Sequence, residues 1–406
     1  MSDRRRFLKQ VAMLGAVATT PVSFALGQAQ PVAKSAAKSA AKLAEKSATE
    51  PLAEPTEGLF AVSYEQIVRD QPPRKITIPD VDGFKVLKGD FHMHTVFSDG
   101  DVMPRDRVAE AVDNGFDVIS ITDHIEVHPN FGGNGIKLLD KNDDHNMAYD
   151  LAKPEADAKK LILVRGTEIT KMTMPPGHFN ALFIQDANSI AAVVDDWKKM
   201  LAVATDQGGF VQWNHPGWVS PKYGGLQPGQ PMHFTKEHEE VYRMGHLHGI
   251  EIFNGVSYFP VVSQWCKERN LAMICNSDVH SSEWNVYGHQ NPLRPMTLVF
   301  AKERSHDSIR EAFFANRTAA FVAGMILGRQ EWLEKLFAAC VTVTPKPGIL
   351  ELTNKSDLPC LVQAGGATRE LPAMGRLSID RNESLKKLTV SNWLVSMNQP
   401  LEIAVG

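Results

Sequence analysis

The chain has 406 residues, 43% of them hydrophobic and 22% charged, with a formal net charge of -4. That is the composition of a folded protein with room for one large domain and a smaller one, and it excludes a fibrous or wholly disordered chain. The acidic balance excludes a nucleic-acid binder driven by phosphate contacts. Cys266, Cys275, Cys340 and Cys360 lack C-x-x-C spacing, so neither a zinc ribbon nor a disulfide framework is indicated, and only a Cys340–Cys360 bridge stays open.

The N-terminus reads Asp3-Arg4-Arg5-Arg6-Phe7-Leu8-Lys9, then an apolar stretch from Val11 to Leu26 that is too short and weakly hydrophobic for a stable membrane span. This R-R-x-F-L-K core resembles a twin-arginine export signal, with small residues at Ala25-Leu26-Gly27 where a peptidase could cut before Gln28. The resemblance implies a signal peptide over 1–27, the twin-arginine export machinery as a partner, and a periplasmic or secreted location. A basic tail is the other reading. Residues 28–58 repeat Ala-Lys-Ser-Ala and contain Pro51 and Pro55, a composition that buries no core and reads as a linker.

From residue 80 short apolar runs alternate with helical patterns. Strands are expected at Phe84–His92, Val118–Thr122, Leu161–Thr167, Phe179–Ile184, Phe210–Trp213, Ile250–Phe253, Met273–Asn276 and Thr297–Phe300. Pro104 opens a helix carrying Val108, Ala111 and Val112, which Asn114-Gly115 stops. Ile190, Val193, Val194, Trp197 and Leu201 predict a second, and Ile309, Ala312 and Phe313 a third. Such alternation predicts an α/β fold with a parallel sheet wrapped by helices, and the number of units favours a closed barrel. Past Cys340 short runs separated by Pro, Gly and Asn predict a small all-β module. The boundary is placed near Thr344, giving a catalytic domain over 80–343 and a β module over 344–406.

The chemistry centres on Phe91–Asp101. His92 and His94, one residue apart at a strand end, turn both imidazoles into one space, and Asp99 on the Ser98-Asp99-Gly100 turn can reach back to it. Other strand ends carry similar groups: Thr122-Asp123-His124, Gly166-Thr167-Glu168, Asn214-His215-Pro216 and Asp278-Val279-His280. His178, beside an expected strand start, fits this scheme less directly.

These motifs, H-x-H with S-D-G, T-D-H, G-x-E, H-P and D-x-H in that order from Lys88 to His280, resemble the PHP family, named for polymerase and histidinol phosphatase members. The resemblance implies a distorted (β/α)7 barrel holding two or three divalent metal ions. Carried over residue by residue, the ligands would be His92, His94, Asp99, His124, Glu168, His178, His215, Asp278 and His280. Imidazoles and carboxylates without thiolates suit Zn, Mn or Fe, and nine ligands exceed what one tetrahedral ion uses. Glu168 is expected to bridge two ions about 3.5–4 Å apart, with a metal-bound hydroxide as nucleophile. Asp123 is read either as a support or proton carrier beside His124 or as a helix N-cap.

Trp213 and Trp218 flank Asn214-His215-Pro216, Tyr258 follows the strand ending at Phe253 and Trp284 follows His280; they could line a pocket for an apolar or aromatic ester group, with rim packing as the other reading. Arg165 and Lys171 could meet a phosphate or form surface ion pairs. His128, His145 and Gly132-Gly133-Asn134-Gly135 fall in an insertion over 125–149 that reads as a loop over the site. His233, His238, His246 and His248 are expected on the surface. The expected activity is that of an exported metal-dependent phosphoesterase acting on a phosphomonoester or phosphodiester. Two competing readings are an amidohydrolase-like hydrolase of C–N or C–O bonds, whose barrels also begin with H-x-H, and a non-catalytic metal-binding scaffold.

Overall fold

A computed structural model describes residues 62–63, 75–126, 143–170, 173–287, 294–364, 366–381 and 385–405. The export signal and linker, Lys171, and residues 127–142 of the insertion, with His128 and its glycines, lie outside the described residues. Among the described residues no helix is long and apolar enough to cross a membrane.

The fold is mixed α/β, organised on one large, parallel-rich sheet. Its first strands are β1 (Lys85–Asp90), β2 (Val118–Ile121), β3 (Ile162–Thr170), β4 (His178–Leu182), β5 (Phe210–Trp213) and β6 (Gly249–Asn254). The short β7 (Ser257–Tyr258) and then β8 (Ala272–Asn276) follow. The hydrogen-bonded path runs β8-β6-β5-β4-β3-β2-β1. The β1–β2, β2–β3, β5–β6 and β6–β8 pairs are parallel. β4, however, runs antiparallel to both neighbours. The connection 171–177 explains this, because a parallel crossover needs roughly a dozen residues or more. The reversal also resolves the awkward position of His178: the first residue of a reversed strand lies at the rim where its neighbours end.

The two ends of this path meet at that rim. Met93, beyond β1, bridges in parallel to Val279, beyond β8, with Asp278 N donating to His92 O at 2.9 Å and His94 N to Val279 O at 3.0 Å. The outer edge of β1 pairs antiparallel with β9 (Met296–Ala301), which is followed by β10 (Thr318–Val322) and β11 (Met325–Gly328).

Helix α1 (Pro104–Asp113) has proline in its first turn and buries Arg107, Val108 and Ala111. α2 (Met147–Lys159) follows. The second expected helix is two, α3 (Ala187–Ala191) and α4 (Trp197–Asp206), because Asp196 caps a fresh N-terminus by accepting from the Lys198 and Lys199 amides. Then come α5 (Lys236–Arg243), α6 (Val262–Glu268), α7 (Glu283–Tyr287), α8 (His306–Phe314) and α9 (Gln330–Cys340). α8 buries Ile309, Ala312 and Phe313, the stripe its spacing predicts.

α9 runs straight into β12 (Val341–Lys346), so Thr344 falls inside a strand. β13 (Ile349–Asn354), β14 (Cys360–Ala364), β15 (Ala367–Leu371), β16 (Arg376–Asp380), β17 (Lys387–Ser396) and β18 (Gln399–Ala404) complete the chain. β12, β13 and β16 form a separate three-stranded sheet, but β17 pairs in parallel with β11, so β14, β15, β17 and β18 extend the large sheet. Leu350, Leu352, Val390 and Trp393 share one core cluster with Ile119, Leu298 and Leu333. The late strands are therefore continuous in hydrogen bonding and packing with what precedes them. Cys340 and Cys360 are both buried free thiols.

Candidate metal centre

All nine candidate ligands converge on the rim. Alternation along the strands sets the inner face: Glu168 pairs with Asn180, and Asn180 with Gln212. Glu168, almost fully buried, lies at the middle. Its Oε1 is 3.5 Å from His92 Nε2, 3.2 Å from His178 Nδ1 and 3.6 Å from His215 Nε2. Its Oε2 is 3.5 Å from His94 Nε2 and 2.8 Å from His124 Nδ1. Asp278 Oδ1 lies 3.1 Å from His92 Nε2 and 3.0 Å from His94 Nε2. Asp99 Oδ1 lies 3.4 Å from His124 Nε2 and 3.2 Å from His280 Nε2.

Three overlapping groups have donor atoms close enough to hold an ion: His94, Asp99, His124 and His280; His92, Glu168 and His215; and His92, His94 and Asp278. Nε2 of His92, His94 and His178 and Oδ1 of Asp278 are buried without a hydrogen-bond partner, a costly arrangement unless a cation sits among them. His92 makes the point sharply. Its Nδ1 lies 2.9 Å from Glu251 Oε1, and a carboxylate there accepts from Nδ1–H, leaving the Nε2 lone pair facing the carboxylates of Asp278 and Glu168. The donor set therefore fits divalent ions.

The charge balance agrees. Burial opposes a charged His92, yet Asp278, Glu251 and Glu168 hold its pKa well above the ordinary value. Glu168 with Asp99 does the same for His124, and against burial Asp99 with Asp278 raises that of His280. Burial would raise Glu168 and Asp278, but the facing imidazoles hold both carboxyls well below the usual range. Burial lowers His178 to about 4 despite Glu168, and burial with the His280 and His124 charges lowers His94. The carboxylates thus demand positive charge at this spot.

Local backbone features serve the same geometry. His215 and Asp278 have φ of 27° and 52°, a left-handed conformation costing on the order of 1–3 kcal/mol that surrounding structure must impose. Here Glu251 Oε2 accepts from His215 N at 2.8 Å, and His92 O from Asp278 N at 2.9 Å. Gly100 turns the Asp99 loop so tightly that a Cβ would sit 2.7 Å from the His94 carbonyl carbon. At Gly166 a Cβ would meet Ser120 Oγ at 2.5 Å.

Asp123 caps no helix. Buried beside His124, it accepts from Thr95 N at 2.7 Å, Thr95 Oγ1 at 2.6 Å and Ser98 Oγ at 2.6 Å, fixing the loop that carries Asp99. Of the aromatic candidates, Trp218 leans on the centre, its ring 5.4 Å from that of His178 and 5.3 Å from that of His215. Trp213, on the outer face, is buried and stacks on His238 with centroids 3.6 Å apart. Tyr258 is buried against Phe253, and Trp284 is exposed on α7. Arg165 binds Asn146 at 2.7 Å and Asp150 at 3.0 Å and covers the Tyr149 ring. His238 is fully buried rather than on the surface, whereas His233 is exposed and His246 and His248 half-buried.

Two charged residues of the site were not anticipated. Glu251 is fully buried and takes hydrogen bonds from Asn276, Asn254, Gln212 and the His215 amide besides His92. A glutamate inside the apolar run Gly249-Ile250-Glu251-Ile252-Phe253 was its signal. Arg107 donates to the carbonyls of His94, Val279, His280 and Ser281, stapling the two ligand-bearing loops together, and pairs with Glu110 at 2.9 Å. Only its place on the buried stripe of α1 hinted at this.

Comparison with known proteins agrees with this centre. Residues 90–313 match the PHP domain family. A two-domain protein from Bacteroides vulgatus containing a predicted PHP-like metal-dependent phosphoesterase is 35% identical, with 82% of this chain and 99% of that chain covered and a TM-score of 0.72. The chain belongs to the PHP family. Two more distant structures are a proposed metal-dependent phosphoesterase from Bifidobacterium adolescentis and an amidohydrolase from Chromobacterium violaceum with bound sulfate and no metal. The first is 17% identical over 47% of this chain and 87% of that chain, with a TM-score of 0.35. The second is 13% identical over 49% and 89%, with a TM-score of 0.34. No curated protein matches the chain.

Proposed function

We propose that this protein is an exported phosphoesterase, built on a distorted (β/α)7 barrel, that hydrolyses a phosphomonoester or phosphodiester with two or three divalent ions. The observation that carries this reading is the convergence of six imidazoles on Glu168, Asp278 and Asp99 with buried ring nitrogens left unpaired. Bound ions supply the activation of water and the charge to stabilise phosphoryl oxygens. The chain's own residues do the rest. Glu168, reached by imidazoles at both oxygens, would help hold ions on either side of its carboxylate. Asn254 Nδ2, 3.2 Å from Asp278 Oδ2, orients that carboxylate, and Trp218 offers an aromatic wall over His178 and His215 for the apolar part of an ester.

The test is turnover of nitrophenyl phosphate, bis-nitrophenyl phosphate and an amide panel by chelator-stripped protein reloaded separately with Zn, Mn or Fe. Phosphoester turnover restored by metal and abolished in Asp278→Ala is expected, whereas turnover of amides alone would overturn the reading. Export rests on Arg4-Arg5 with Phe7-Leu8-Lys9. Replacing both Arg4 and Arg5 by lysine should hold the chain in the cytoplasm, and unchanged fractionation would refute that route.

A further inference from the structure

The paired histidines that open the site are supported from behind by different carboxylates. His92 Nδ1 is 2.9 Å from Glu251 Oε1, a direct contact. His94 Nδ1 is 3.3 Å from Ser98 Oγ, and that hydroxyl donates to Asp123 Oδ1 at 2.6 Å. A hydroxyl that donates to Asp123 has its lone pairs free to accept from His94 Nδ1–H, so a carboxylate fixes each ring tautomer, once directly and once through serine. Both rings thereby turn Nε2 toward Asp278 Oδ1, at 3.1 and 3.0 Å.

The remaining contacts of the two carboxylates divide along the same line. Glu251 Oε2 accepts from the His215 amide at 2.8 Å, so its contacts among the candidate ligands are His92 and His215. Both belong to the group His92, Glu168 and His215. Asp123 binds Thr95 and Ser98, and Ser98 Oγ also lies 3.4 Å from Asp99 Oδ1. Asp123 precedes His124 in the chain. Its reach is therefore to His94, Asp99 and His124, all in the group completed by His280.

We propose that Glu251 and Asp123 are positioning residues that each control the affinity of a different ion position: Glu251 the one at His92, Glu168 and His215, and Asp123 the one at His94, Asp99, His124 and His280. The proposal rests on the reading of this centre as a divalent-metal site and assigns each position its own support. Removal of a support behind a metal-bound histidine costs about 10–100-fold in affinity. The two losses should fall on different ions.

The experiment is calorimetric titration of chelator-stripped full-length protein with Mn2+, with bound metal per chain counted after desalting, for wild type, Glu251→Gln and Asp123→Asn. Each variant is expected to weaken one binding step by about 10–100-fold and to leave the other in place. Combining the two should weaken both steps. Glu251→Asp, which keeps acceptor oxygens but shortens their reach to His92, replaces Glu251→Gln if the latter does not fold, and Ser98→Ala tests the indirect arm in the same way. Thermal unfolding of the metal-free variants separates positioning from general damage. A variant that weakens both steps alike, or neither, overturns the proposal. Wild type that binds no Mn2+, Zn2+ or Fe2+ would instead overturn the metal-dependent reading itself, and intact binding without phosphoester turnover would overturn only the assigned substrate class.

Discussion

His238 shows how a single side chain can be placed by chemistry that a sequence reading assigns to the wrong surroundings. Its Nε2 lies 2.8 Å from the Pro176 carbonyl, which can only accept, so this nitrogen carries the proton. Nδ1 then accepts from Thr235 N at 3.3 Å. A second proton on Nδ1 would face the Thr235 N–H, and burial against Trp213 lowers the ring's pKa from 6.5 to about 4. A folded-state value below the unfolded one means that the unfolded chain binds the extra proton first as pH falls. The stabilisation is therefore complete above about 6.5 and is lost progressively down to about 4, an effect on the order of 3 kcal/mol. His238→Gln should flatten that part of the profile. Denaturant unfolding of metal-free protein between pH 4 and 7 measures it, and parallel losses in wild type and variant would show that His238 does not carry the effect. The residue was misread because Lys236-Glu237-His238-Glu239-Glu240 reads as a solvated face, whereas burial on α5 falls on His238 and Val241. The ligand-bearing motifs were legible for the opposite reason. An H-x-H pair, a D-x-H pair and a glycine-bearing turn have few uses besides a metal, so residue type and spacing specify their geometry. Glu251 stands alone in the run Gly249-Ile250-Glu251-Ile252-Phe253, and one carboxylate without a partner in sequence carries no spacing to read, whereas Asp123 was legible beside His124.

Among the elements, the strands were largely legible and their directions were not. Apolar runs located β1 through β6 and β8 to within a few residues, because strands buried on both faces read as short continuous apolar runs. Direction depends on the connection. The antiparallel setting of β4 follows from the short link 171–177, and it alone brings His178 to the rim. Helix α1 shows the same dependence on context: its stripe of Val108 and Ala111 was readable, but Arg107 on that stripe makes its contacts across the fold. Four backbone carbonyls, from His94, Val279, His280 and Ser281, accept from this one guanidinium, while those of Val279 and His280 also accept from the His94 and Asp101 amides. Arg107→Met keeps most of the stem and removes every donor, at a cost of roughly 1–3 kcal/mol for each of the His94 and Ser281 carbonyls that water does not reach. The metal-free variant is expected to unfold at a lower temperature and to bind metal more weakly, because the loops after β1 and β8 lose their tie. An Arg107→Met protein with native unfolding temperature and native metal content would show that the Met93–Val279 bridge holds the loops unaided.

At the scale of the molecule, the change in character after Cys340 was readable but its meaning was not. Short strands with turn residues between them describe a β region, and nothing in that pattern says whether its edges are free or taken. The parallel pair of Ile326 and Leu327 with Trp393 and Leu394 joins the late strands to the sheet that carries the centre. Leu352, Val390 and Trp393 are fully buried in the cluster that also holds Ile119 and Leu298. Each such side chain contributes roughly 1.5–3 kcal/mol on burial, against a total stability of about 5–15 kcal/mol for a typical folded domain. Removing residues 341–406 would expose the facing surfaces of α9, β10 and β11 and uncover the edge of β11. The shortened chain is thus expected to aggregate, or to lose cooperative unfolding and metal affinity together, even though all nine candidate ligands remain. Scanning calorimetry and metal titration of a chain ending at Cys340 decide the matter. A sharp transition with metal affinity retained would mean that the sheet and helices before Val341 stand without the late strands, and that the shared core is packing added to an already stable unit.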